Sequence, residues 1–227
     1  MSRVYQARKH RGFGNRRADA AGRANERNKP LKRPLQGRAK FTVQAIYDAF
    51  VRIWRTEGWA GITTRAVALD TGISVGTLYD YFPNKQALLS GYMRHAIETL
   101  VARIEREVVE VTDLDWQTRV RRLVRLSCGV GADLPPVDRE MLMLTDEIAE
   151  PKHHRRVFEE LSAVWWKALS ACKDLPDRPH RSAVVSLFAA VWGARRYLML
   201  VEPKQFDREG WISEMERLCC SRVGGVS

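Results

Sequence analysis

From Thr42 onward the apolar positions repeat with the period of an α-helix. Ala45, Ile46, Ala49, Phe50, Ile53 and Trp54 fall at i, i+1, i+4 and i+5, which puts them on one face. Thr42 is the capping candidate for this helix and Gly58 its stop. Thr63 caps a second, short helix to about Asp70, with Ala66, Val67 and Leu69 as its apolar members. Gly72 ends that helix, because glycine takes the left-handed conformation of a C-terminus without strain. Ile73 anchors the turn, Ser74 caps a third helix from Val75 to about Phe82, and Pro83 closes it.

A long fourth helix follows, capped by Asn84. Leu88, Leu89, Tyr92, Met93, Ala96, Ile97, Leu100, Val101, Ile104 and Val108 hold one period along it. Further helical patterns run over about 115–130, 136–149, 151–173, 180–201 and 207–221, punctuated by Pro135, Pro151, Pro179 and Pro203. No segment alternates like a strand. The pattern predicts an all-α protein.

Charge changes the picture at one end only. The net charge is +11, and residues 1–40 hold thirteen Lys/Arg against Asp19 and Glu26, so the remaining body is neutral. A basic arm on a neutral body suggests a polyanionic partner, nucleic acid before anionic membrane; a solvated tail is the plainer alternative. Residues 1–38 are too polar to offset the entropy of ordering, and a disordered arm is expected there. Residues 1–30 lack the apolar run of a secretory signal. The apolar stretch Ala183–Ala194 is about half of the ~20 residues a spanning helix needs, so no membrane partner is expected. Cys128, Cys172, Cys219 and Cys220 show no Cys-x-x-Cys spacing and read as reduced thiols of a cytoplasmic protein.

The stretch GISVGTLYDYFPNK, Gly72–Lys85, carries two glycines four apart. A phosphate loop would need a preceding strand and a Gly-Lys-Ser/Thr ending, and it has neither. Helix, short glycine-containing turn and helix, behind one supporting helix, is a helix-turn-helix unit. The residues TTRAVALDTGISVGTLYDYFPNKQALL resemble the DNA-binding signature of the TetR/AcrR family of transcriptional regulators. The resemblance covers roughly residues 42–90. Ala66 and Thr71 depart from it, where the family often has an acid and an alanine.

The resemblance implies a three-helix DNA-binding domain, residues 39–86, joined by a long helix to a helical ligand-binding and dimerisation domain, residues 87–227. It implies a bacterial, nucleoid-associated regulator, most often a repressor, acting as a homodimer on double-stranded DNA and released by a small molecule. By that likeness Thr63, Arg65, Thr77, Tyr81 and Lys85 contact phosphates, and Val75, Gly76 and Tyr79 face bases, with Ser74 at the helix start. Leu78, Phe82, Ile73, Val67 and Ala68 read as core. The recognition helix offers no Arg, Asn or Gln, the side chains that pair bidentately with guanine or adenine. Selectivity is then expected from thymine-methyl contacts, Tyr79, DNA shape and the arm.

Two regions beyond the DNA-binding unit are candidates for the remaining roles. Ser182–Val201 is apolar around nearly its whole circumference, which suits a dimer surface or, in a monomer, a buried central helix. Val184, Phe188, Val191 and Trp192, with Trp211 and Met215 of the last helix, are the expected dimer contacts. Trp116, Met141, Met143, Trp165 and Trp166 are large apolar residues suited to line an effector pocket, pointing to a lipophilic or aromatic ligand. Arg195 and Arg196 interrupt the apolar helix and could meet an acidic ligand, a salt bridge or solvent.

No catalytic set stands out, and no cofactor is expected. Glu150 and His154 lie four apart without a third metal ligand. A sequence-independent architectural DNA-binding protein, or less favourably an all-α enzyme, are the alternatives.

Overall fold

The computed structural model describes residues 37–225; residues 1–36 of the basic arm lie outside them, and its last two, Gly37 and Arg38, fall in the first helix and not in a disordered segment. Among the described residues there is no strand. The helices are α1 (Gly37–Gly61), α2 (Thr64–Thr71), α3 (Val75–Tyr79), α4 (Lys85–Ile104), α5 (Trp116–Ser127), α6 (Arg139–Ile148), α7 (Pro151–Ser170), α8 (Arg181–Val201) and α9 (Arg208–Val223).

Local chemistry sets most of the starts. Side-chain oxygens of Thr63, Ser74, Asn84, Asp115, Asp138 and Asp207 each accept the backbone N–H three residues on, at 2.7–3.0 Å. Each satisfies a donor the helix itself leaves unpaired. Thr42 has no such part: α1 begins at Gly37, so Thr42 lies inside the helix. Gly58 does interrupt α1, at φ 63 and ψ −163, a region closed to other residues. Helix α3 is shorter than its sequence pattern, ending at Tyr79. Beyond it the N–H groups of Tyr81 and Phe82 turn back onto the Leu78 carbonyl, at 3.0 and 2.9 Å.

Two cores are filled. One joins α1–α4 around Ile46, Phe50, Ile62, Val67, Leu78 and Phe82, with Leu88, Leu89 and Tyr92 from the first half of α4. The other joins α4, α5, α7, α8 and α9 around Ile104, Leu123, Val124, Trp165, Phe188 and Val191. The α4 helix therefore contributes to both, its residues Leu100 and Ile104 entering the second. Helix α6 also reaches across, burying Met141 in the first core.

Past Ile104, α4 widens into a π turn, Glu105–Val109. Its end is closed from α5. Arg119, 2% exposed, sends its guanidinium to the carbonyls of Val108 and Val111, the latter at 2.7 Å. A buried guanidinium thus satisfies the C-terminal carbonyls, and their partial negative charge favours it there.

Candidate nucleic-acid interface and effector cavity

The turn between α2 and α3 is built from backbone bonds. Gly72 is left-handed at φ 69 and ψ 19, its N–H bonding Leu69 O at 3.2 Å. The Ile73 N–H bonds Ala68 O at 3.1 Å. This paired closure ends α2 and turns the chain directly into α3. Behind it Leu78 and Phe82 are buried, and Ile73 is half-buried.

The outward edge of this unit presents Ser74, Val75, Gly76 and Tyr79, all exposed. Val75 and Tyr79 are large apolar side chains left 39% and 46% exposed on α3, and Leu69 of α2 is also exposed, while Val67, Leu78 and Phe82 are buried behind them. Thr63 and Arg65, at the start of α2, are exposed on the same unit. The hydroxyl of Tyr79 lies 3.3 Å from that of Thr64, which steadies the ring against α2. The Ser74 and Thr77 hydroxyls bond each other at 2.8 Å. Tyr81 is half-buried against Phe82. Lys85 donates to the Trp59 carbonyl at 3.2 Å, its ammonium 4.2 Å from the centre of the Trp59 ring. It is a tethered cation at the end of α1, an arrangement the sequence pattern did not indicate.

A cavity of about 480 Å³ lies in the C-terminal half. Its walls are Met93, Ile97 and Leu100 of α4, the segment 128–137, Trp192, Arg195 and Met199 of α8, and Phe206 and Trp211 near α9. The five residues expected to line a pocket are placed elsewhere. Trp165 is buried in the second core, its indole N–H bonded to Ser127 Oγ at 3.0 Å. Met141 faces the first core, Met143 points outward at 44% exposure, and the Trp116 ring packs against Gly224. Trp166 borders a separate hollow of about 260 Å³ with Phe158 and Val185. The reason is geometric: the apolar stripe of α7 is spent on its neighbouring helices, and the space opens farther along the inner face of α8, at its C-terminal half with Trp192, Arg195 and Met199.

The expected dimer contacts are corrected in the same way. Val184, Phe188 and Val191 are 0–1% exposed inside their own chain and so cannot face a partner. Trp192 and Trp211 line the cavity, and Met215 packs on the second core. The free side of α8 is instead Ser186, Ala189, Ala190, Gly193 and Tyr197, with Leu218 exposed on α9. Helix α8 has a mean hydropathy of 1.4, enough by length and composition to cross a membrane, yet only 22% of that window is buried. An apolar helix with an uncovered side is suited to a partner helix. No group of three or more metal-ligating side chains occurs among the described residues.

Residues 46–91 match the family model described as bacterial regulatory proteins, tetR family. The chain is similar to the nucleoid occlusion factor SlmA of Marinomonas sp. (strain MWYL1), 30% identical over 49% of this chain and 55% of that one. It is also similar to the HTH-type transcriptional regulator BetI of Burkholderia thailandensis, 26% identical over 70% of this chain and 84% of that one. The alignment thus spans about half the length of SlmA but most of BetI. Among solved structures, a TetR transcription regulator from Haloarcula marismortui superposes with a TM-score of 0.58 at 19% identity, covering 82% of this chain and 98% of that one.

Proposed function

We propose that this chain, whose residues 46–91 match the model of the tetR family of bacterial regulatory proteins, is a repressor that grips a palindromic operator as a homodimer and lets go when a small molecule fills the α8 cavity. The DNA-binding regulatory role, the sign of its action, its release and its pairing are together our reading, supported by the family match over residues 46–91.

One observation carries the reading. Helix α4 lines the cavity with Met93, Ile97 and Leu100 and packs into the DNA-binding core with Leu88, Leu89 and Tyr92, one turn away. A ligand that moves the middle of α4 therefore moves the recognition unit. A second link supports it: the Tyr92 hydroxyl donates to the Pro136 carbonyl, at 2.7 Å, in a segment that also borders the cavity. Two recognition helices about 34–36 Å apart fit successive major grooves, and a small change in that spacing breaks the fit. Coupling of about 1–3 kcal/mol between the two sites is sufficient for a 5–150-fold change in affinity.

On this reading Thr63, Arg65, Thr77, Tyr81 and Lys85 contact phosphates, while Val75, Gly76 and Tyr79 meet base edges. Pairing runs through Ala189, Ala190, Gly193 and Tyr197, whose small neighbours let two helices approach closely. The protein works at the bacterial nucleoid in the cytoplasm.

Selection from a random duplex library tests the proposal. A regulator enriches one palindromic site about 10³-fold or more over random DNA. Uniform affinity for all duplexes, with a steep salt dependence, would instead make the protein a sequence-independent DNA binder.

A further inference from the structure

Among the described residues, three arginines and no Asp or Glu line the α8 cavity. Their situations differ. Arg196 is neutralised, its guanidinium paired with Asp146 of α6. Arg208 is spent on structure, donating to the carbonyls of Cys128 and Gly129 at 3.0 and 3.5 Å. Arg195 makes neither a hydrogen bond nor an ion pair among the described residues. Its guanidinium instead lies 5.1 Å from the centre of the Trp192 ring, an attraction between cation and aromatic face.

The backbone makes room for it. Gly129 is left-handed at φ 77, and a Cβ there would sit 2.9 Å from Arg195 Nη2. Any side chain at this position would meet the guanidinium. Burial lowers the Arg195 pKa from its ordinary value, and the nearby Arg208 charge acts in the same direction. The side chain is thus a largely enclosed cation beside a second cation, and a buried charge without a partner is costly. The rest of the wall is apolar, with Trp192, Trp211, Met93 and Leu100 among its members.

We propose that this cavity takes a monoanionic amphiphile, a carboxylate on an apolar body, with the carboxylate seated on Arg195. The proposal rests on the ligand-responsive reading above and names the chemical class of its effector. One unpaired guanidinium calls for one negative charge, which a planar carboxylate meets with two parallel hydrogen bonds. Trp192 and the α4 side chains then cover the apolar body. A ligand held between Arg195 of α8 and Ile97 of α4 would pull on the helix that carries the DNA-binding core.

Titration calorimetry at pH 7.5 tests this with decanoate below its micelle concentration, against 1-decanol, decyltrimethylammonium and decyl phosphate. Decanoate is expected to bind at least about tenfold more tightly than decanol, the factor of a charge-assisted hydrogen bond. Arg195→Met removes that preference, while Arg195→Lys, which keeps the charge but not the two parallel hydrogen bonds, retains part of it and guards against a variant that merely misfolds. Absent decanoate binding, equal binding of decanol, an unchanged preference in Arg195→Met, or tighter binding of the ammonium or the phosphate each overturns the proposal.

The same four compounds are added to the complex with the selected operator. Decanoate binding without DNA release upholds the anion site and removes the regulatory reading. Release by decanol but not by decanoate does the reverse.

Discussion

Trp54 donates its indole N–H to the Asp138 carboxylate across 2.6 Å, joining α1 of the DNA-binding unit to the first turn of α6. The other Asp138 oxygen accepts from the Met141 N–H at 2.9 Å, so one carboxylate caps α6 and ties that cap to α1. Helix α6 is held at its far end by the Asp146–Arg196 pair on α8. A chain of polar contacts thus runs from the cavity wall to the DNA-binding core, beside α4. Trp54→Phe keeps an aromatic ring but loses the donor and part of the buried volume. It is expected to cost about 1–3 kcal/mol of stability, as for a hydrogen bond to a charged group. If α6 carries the signal, it also weakens the effect of bound ligand on operator affinity without changing ligand affinity as much. Urea denaturation and DNA titrations with and without decanoate measure both; an unchanged ligand effect would leave α4 as the sole route.

Tyr79 is expected to matter through its ring more than its hydroxyl. The ring stands on the recognition helix at 46% exposure, and the hydroxyl is engaged with Thr64 at 3.3 Å. Tyr79→Ala should abolish binding to the selected operator while the melting temperature and the oligomeric state stay as they are. Tyr79→Phe loses one exposed hydrogen bond, about 0.5–1.5 kcal/mol. Gel-shift titration with light scattering distinguishes the cases. Specific binding retained by the alanine variant would mean that the reading edge lies elsewhere.

The parts legible in the sequence are those set by neighbours in the chain. Thr63, Ser74 and Asn84 cap their helices because each side chain reaches only three residues on. Gly72 turns the chain because the left-handed conformation there is a local demand. Contacts between residues far apart left no such trace. Trp54 and Asp138 are 84 positions apart, and the bond between them follows from how α6 packs, not from any spacing. Periodicity shows that α8 is apolar on nearly every side, but not which side its own chain covers. That is why Val184, Phe188 and Val191 were expected at a dimer surface and lie in the core. The tryptophans misled for a related reason: Trp165 is large and apolar, and its single polar atom finds Ser127 inside the protein. The cavity is instead marked by Arg195, an exception in an apolar helix, and by Gly129, whose role needs its φ angle to be seen.

Arg119 holds the end of α4 from within, so its loss should act on folding and spare the reading edge. Arg119→Met keeps much of the packing but leaves the Val108, Val109 and Val111 carbonyls without their donor. Burying acceptors without partners costs about 1–3 kcal/mol each, and some of these reach water once the π turn loosens. A net loss of about 3 kcal/mol is expected in urea denaturation. Operator affinity per folded molecule should be unchanged, because the turn lies at the far end of α4 from the recognition helix. A stable variant with altered DNA binding would show that the π turn transmits the ligand signal and is not merely a terminus.

His95 gives the stability of the two halves a pH dependence. Its ring stacks on Tyr47 of α1, with centroids 4.9 Å apart and planes 24° from parallel. Burial lowers its pKa below the ordinary 6.5, and the opposing charges of Glu98 and Asp48 do not restore it. The folded protein therefore holds fewer protons on this group than the unfolded chain does, wherever the pH lies between the two pKa values. Stability then rises with pH across that window, and protonation on the way down favours unfolding. The contribution is fully present above 6.5 and is lost as the pH falls through that value toward the lower folded pKa. His95→Phe keeps a ring on Tyr47 and removes the titration. Chemical denaturation at intervals between about pH 5 and pH 8 should show a shallower slope for the variant than for the parent on the acid side, with the two curves parallel above it. Equal slopes throughout would mean that His95 titrates alike in the folded and unfolded chains, and the stacked ring would then carry no pH signal between α4 and the DNA-binding core.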